Sequence, residues 1–230
     1  MRLVLLPGLN GSSHLFRPLL DELDDLPAHV LELPAEGPQD HDSLADSLRK
    51  QLGETPFILL GESFSGAIAY RTALQQPTGL RGIIFTASFL SCPSALLPLV
   101  RHLPIPHALS TLSAALKMFC VGHDASDELL HQLKQEIRLI PDALLRARLN
   151  SLSELRAPQQ RLALPALHIW PQQDRLVSHG VAGQLAEHCS DLRQVRIEGP
   201  HFILQTRAKV CAEAIRAFTS ELLDETPQPG

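Results

Sequence analysis

The chain has 230 residues, 44% hydrophobic and 20% charged, enough apolar content to bury the core of one α/β domain. A formal net charge of -5 and a pI near 6.1 leave no basic footprint for nucleic acid. The first apolar run, Leu3 to Leu6, is too short for a secretory signal, and no later run reaches membrane-spanning length. The expectation is a cytoplasmic protein with no membrane partner. Cys92, Cys120, Cys189 and Cys211 are scattered without metal-ligand spacing, so they are expected to be reduced and mostly buried thiols.

In chain order, Arg2–Leu6 reads as a buried strand, 7–13 as a turn-rich loop and 15–23 as a helix. Val30-Leu31-Glu32-Leu33 reads as a second strand stopped by Pro34, and 43–52 as a helix capped by Asp42 or Ser43. The continuous apolar run Phe57-Ile58-Leu59-Leu60 has the pattern of a strand covered on both faces of a parallel sheet. It leads into Gly61-Glu62-Ser63-Phe64-Ser65-Gly66 and then a helix over 67–74. Leu80–Thr86 is a fourth strand, rich in β-branched and aromatic residues. Over about 91–161 the strand–helix alternation stops, and Pro93, Pro98, Pro104, Pro106, Pro141 and Pro158 divide this stretch into short helices at 109–120, 128–140 and 143–155. The expected architecture is a single domain over 1–230, with this stretch inserted after the fourth strand as a helical cap. The alternation resumes with a strand at 165–170, a helix at 181–188, a strand at 192–197 and a helix at 207–223, and 226–230 reads as a frayed tail.

The strand–turn–helix around Ser63 carries the chemistry. A serine between small residues on such a turn is lifted clear of the sheet, and the next N–H stands at a helix N-terminus where it can stabilise negative charge. Gly61, Ser65 and Gly66 are small enough to let the helix pack close to the strand. A serine nucleophile needs a base and a group that orients the base, and in open parallel sheets these stand on loops after the C-terminal ends of strands. Asp174 follows the 167–170 strand and His201 follows the 195–197 strand, in the chain order Ser63, Asp174, His201. Asp191 and Glu198 are the weaker acids: one precedes its strand and the other is too close to His201 along the chain. Each residue alone has a plainer account, Asp174 as a turn former and His201 as one of eleven histidines.

These features together resemble the α/β-hydrolase superfamily, on the scale of its compact single-cap serine esterases, including those that cleave methyl esters of carrier-bound acids. The resemblance runs from Leu3 to about Leu222 through Leu6-Pro7-Gly8-Leu9-Asn10-Gly11, the elbow, the cap, Asp174-Arg175-Leu176-Val177 and Gly199-Pro200-His201-Phe202. It implies a mostly parallel six-stranded sheet in the order 2-1-3-4-5-6, helices on both faces, a Ser63–His201–Asp174 triad and no cofactor or metal. It also implies an oxyanion hole from the N–H groups of Phe64 and Leu9, with Asn10 as the alternative second donor. Phe89 and Phe202 flank the catalytic loops as candidate substrate contacts. Two residues depart from the family pattern: Ser65 replaces a glycine, and Pro7 stands where many members have a histidine, which leaves the support of the oxyanion loop unexplained.

The expected function is hydrolysis of a small-molecule carboxylic ester through an acyl-enzyme. Thioester hydrolysis, acyl transfer and a cofactor-free lyase reaction use the same triad, and a non-catalytic binding module is the alternative of another class. Residues 91–160 hold seven Lys/Arg against six Asp/Glu, five of the cations lying between Lys134 and Arg156. A solvated helical face is the plainer account of them, and docking of an acidic acyl carrier protein is the sharper one.

Overall fold

Six strands pair side by side, all parallel, in the order β2-β1-β3-β4-β5-β6. They are β1 (Arg2–Leu6), β2 (Ala28–Val30), β3 (Phe57–Glu62), β4 (Leu80–Thr86), β5 (Leu162–Pro171) and β6 (Cys189–Ile197). The computed structural model describes residues 1–94 and 112–224. The first three residues of the sequence-predicted helix at 109–120 fall among residues 95–111, which with the terminal tail lie outside the described residues.

The inner strands β1, β3 and β4 are buried on both faces because their side chains alternate between two apolar layers. Val4, Leu6, Phe57 and Leu59 face a cluster with α2 (His41–Arg49) and α3 (Phe64–Leu74). Leu3, Leu5, Ile58 and Leu60 face the other way, against α1 (Arg17–Glu22), α9 (Ile203–Thr206) and α10 (Ala208–Asp224). The edges are modest: β2 has three residues, and β6 carries exposed polar residues along most of its length.

Between β4 and β5 come a single turn α4 (Ser113–Leu116) running into a π turn (Lys117–Val121), then α5 (Asp127–Leu139) and α6 (Asp142–Glu154). The Ser126 side chain accepts from the Leu129 N–H at 3.2 Å and caps α5. Leu116, Val121, Leu130 and Leu133 close over Leu15 and Phe202 in a small third cluster. After β5, α7 (His179–Gly183) and α8 (Leu185–His188) divide what the sequence presents as one helix at 181–188.

Three local expectations are corrected. The second strand is Ala28–Val30, not 30–33, because Leu33 leaves the sheet to donate its N–H to Gly11 O at 2.9 Å. The cap of α2 is Asp40, not Asp42 or Ser43; its Oδ1 accepts from the Ser43 N–H at 2.9 Å. Two of the thiols are half-buried: all four cysteines are free, but only Cys189 and Cys211 are fully inside.

Candidate active site

Ser63 sits where β3 ends and α3 begins, with φ 49° and ψ -113°, a backbone conformation that L residues rarely adopt. Packing makes that turn compulsory. A Cβ on Gly61 would lie 2.6 Å from Ser65 O, so only glycine lets the strand and helix come this close. The Ser63 N–H is tied to Thr86 O at 2.8 Å, fixing the turn to the neighbouring strand.

His201 and Asp174 stand on the loops after β6 and β5, as their positions in sequence predict. The His201 ring meets Ser63 Oγ through Nε2 at 2.8 Å and Asp174 Oδ2 through Nδ1 at 2.7 Å. A carboxylate only accepts, so Nδ1 carries the proton and Nε2 presents its lone pair to the serine hydroxyl. The other Asp174 oxygen accepts the N–H groups of Leu176 and Val177 at 2.8 and 3.0 Å. Burial would raise the Asp174 pKa, but the neighbouring His201 and these hydrogen bonds outweigh it and hold the carboxyl below its usual range. Asp191 lies at the far end of β6, and Glu198 accepts from the exposed Gln173 side chain at 3.1 Å, so neither meets the imidazole.

The loop 7–13 runs beside the serine: a Cβ on Gly8 would stand 3.9 Å from Ser63 Cβ. Both departures from the family pattern meet here. Ser65 Oγ donates to the carbonyl of Pro7, so the hydroxyl that replaces a glycine supports the residue that replaces a histidine. Three further side chains hold the loop. The buried Glu62 carboxyl accepts the Gly8 N–H and, at 2.8 Å, the Gln205 amide. Burial raises the Glu62 pKa against the pull of Gln205, His201 and Gly8. Glu136 on α5 accepts from Ser12 Oγ and lies 2.8 Å from His14 Nδ1. Arg148 on α6 donates to Leu9 O at 2.8 Å, and burial lowers its pKa to about 10.

Sequence reasoning missed Glu62, Glu136, Arg148, Gln205 and His41. The His41 ring lies 4.6 Å from Phe64, is kept neutral by burial with a pKa of about 3, and meets Ser151 Oγ at 2.8 Å. Of the substrate-contact candidates, Phe202 is half-buried with its ring 5.7 Å from His201, and Phe89 is packed in the core with 2% exposure. Arg148 is a correction: 1% exposed, it cannot belong to a solvated or docking face. Of its four companions between Lys134 and Arg156, Arg138, Arg146 and Arg156 are exposed.

A family model described as serine aminopeptidase, S33, matches residues 36–201, well over half of the chain. The chain belongs to this family of α/β hydrolases. The hydrolase is 28% identical over 211 residues to a pimeloyl-(acyl-carrier protein) methyl ester esterase of Shewanella woodyi, covering 81% of this chain and 80% of the relative. It is 30% identical over 201 residues to the enzyme of the same name from Edwardsiella ictaluri, with 78% of each covered. Its fold is shared with a thermophilic esterase from Thermogutta terrifontis at a TM-score of 0.79 and 18% identity, over 96% of this chain and 90% of that one. Among the described residues of the hydrolase, no helix is long and apolar enough to cross a membrane, and no cluster of three His, Cys, Asp or Glu could hold a metal ion.

Proposed function

We propose that the hydrolase cleaves a carboxylic ester by a Ser63–His201–Asp174 triad and an acyl-enzyme. The observation that carries this reading is the unbroken hydrogen-bond chain from Ser63 Oγ through His201 to Asp174 at 2.8 and 2.7 Å, presented on a strained elbow. Ser63 Oγ attacks the carbonyl as Nε2 takes its proton, and the ionised Asp174 stabilises the imidazolium that results. The N–H of Phe64, unsatisfied in the first turn of α3, and that of Leu9 receive the oxyanion. The imidazolium then gives its proton to the departing alcohol, and water repeats the sequence on the acyl-serine.

The two relatives are named for methyl esters of carrier-bound pimeloyl groups, which makes esters of carrier-linked acids the first substrate class to assay. The 91–161 segment acts in this reading as a cap, and small neutral esters are the simpler substrates. A fluorophosphonate should label Ser63 in the wild type and nothing in Ser63→Ala. A panel of methyl esters, thioesters and small aryl esters then separates ester from thioester hydrolysis. Failure of the wild type to label, with a folded protein, contradicts the triad.

A further inference from the structure

We propose that Arg148 is a positioning residue for the oxyanion hole: a buried guanidinium on α6 that clamps the Leu9 turn, so the helical segment between β4 and β5 governs the rate of acylation. This rests on the assignment of the Leu9 N–H as an oxyanion donor.

The guanidinium reaches two loops at once. Nη1 donates to Leu9 O at 2.8 Å, Nη2 to Pro34 O at 3.1 Å, and Nε to Gln39 Oε1 at 3.0 Å. All three acceptors are neutral, and among the described residues no carboxylate pairs with it. Burying a cation without a counter-charge is unfavourable, and an aliphatic residue like Leu152 one turn on would fill the space at lower cost. What leucine cannot supply is a rigid fork that spaces three carbonyl-type oxygens.

The clamp holds the peptide next to the one that matters, since Leu9 O belongs to the Leu9–Asn10 unit. Gly8 O and the Leu9 N–H belong to one planar unit and point in opposite directions. Gly8 O is held by the Gly11 N–H at 3.0 Å, which fixes where the Leu9 N–H is aimed. Gly11 has φ 78°, and a Cβ there would run into the Arg148 guanidinium, so turn and cation are fitted to each other. The same loop is gripped at Ser12 by Glu136 on α5.

The test compares wild type with Arg148→Ala, Arg148→Lys and Gly11→Ala on a small neutral aryl ester, reading kcat, KM and the rate of the acylation burst. Removing an oxyanion donor outright costs about 10²–10³-fold in kcat, so misaiming one should cost about 10–100-fold. The expected result for Arg148→Ala is that loss in kcat and in the burst rate, with KM within about threefold and partial recovery in millimolar methylguanidinium. Arg148→Lys should lie between Ala and wild type. Gly11→Ala should give the same split with no response to methylguanidinium. Should Arg148→Ala fail to fold, Arg148→Lys and Gly11→Ala decide the matter. A rise in KM with kcat intact, or wild-type kcat in both of those variants, overturns the proposal. A wild type whose Ser63 does not label removes the reading beneath it, a result distinct from a labelled wild type with indifferent Arg148 variants.

Discussion

Glu62 and Ser63 are adjacent along the chain and serve opposite needs: one is buried under the catalytic loops, the other is held out on the elbow. Burial is the first cause of the raised Glu62 pKa. A carboxyl whose folded pKa exceeds its ordinary value of 4.5 contributes its full stability below that pH and loses it as pH rises through the folded pKa. Glu62→Gln keeps an acceptor for Gly8 and cannot ionise. Its unfolding midpoint should therefore gain on wild type as pH rises above 4.5, and a difference that stays constant with pH contradicts this. The meeting of Ser63, His201 and Asp174 was legible because each follows a strand end, where residue type and position agree. Glu62 was not, because an acidic residue beside a nucleophile has no sequence feature to distinguish a solvated turn from a buried support.

At the scale of elements, the loop 7–13 depends on partners from β3, α3, α5 and α6, none of them near it in sequence. That is why its support was illegible: Ser65 and Pro7 look like two separate departures until the fold puts them in contact. Ser65→Ala leaves the buried Pro7 carbonyl without its donor, at a cost of about 1–3 kcal/mol. The melting temperature should fall and kcat should fall with it, while Ser65→Thr, which retains the hydroxyl, recovers more activity than Ala if its methyl is accommodated. Loss of stability with unchanged kcat would separate the Ser65 bond from the active site. Arg148 did leave a trace in the sequence. It lies one turn before Leu152 and falls on the inward face of α6, a spacing that contradicts a solvated cation. The capping and strand-length corrections have a plainer origin, since local propensity does not foresee Leu33 bonding to Gly11.

Across the whole molecule, the βα alternation made a parallel sheet legible, while its order 2-1-3-4-5-6 was carried by the resemblance to the α/β hydrolases. Charge distribution was less legible, since exposure is decided by packing. With Arg148 inside, Arg138, Arg146 and Arg156 remain as exposed cations of this stretch. If they steer an acidic carrier, kcat/KM for a carrier-linked ester should fall steeply with added salt and with Arg138→Glu plus Arg146→Glu. Screening over about 8 Å at physiological ionic strength sets that sensitivity. A small neutral ester should respond to neither change, and equal responses from both substrates contradict steering. The most direct measurement of the central claim is a rapid-quench mass spectrum during turnover of an activated aryl ester. One acyl group per chain, located on Ser63 and absent in Ser63→Ala, whose kcat should fall on the order of a million-fold, is the predicted result. Turnover without an acyl-serine, or near-normal turnover by Ser63→Ala, would contradict it.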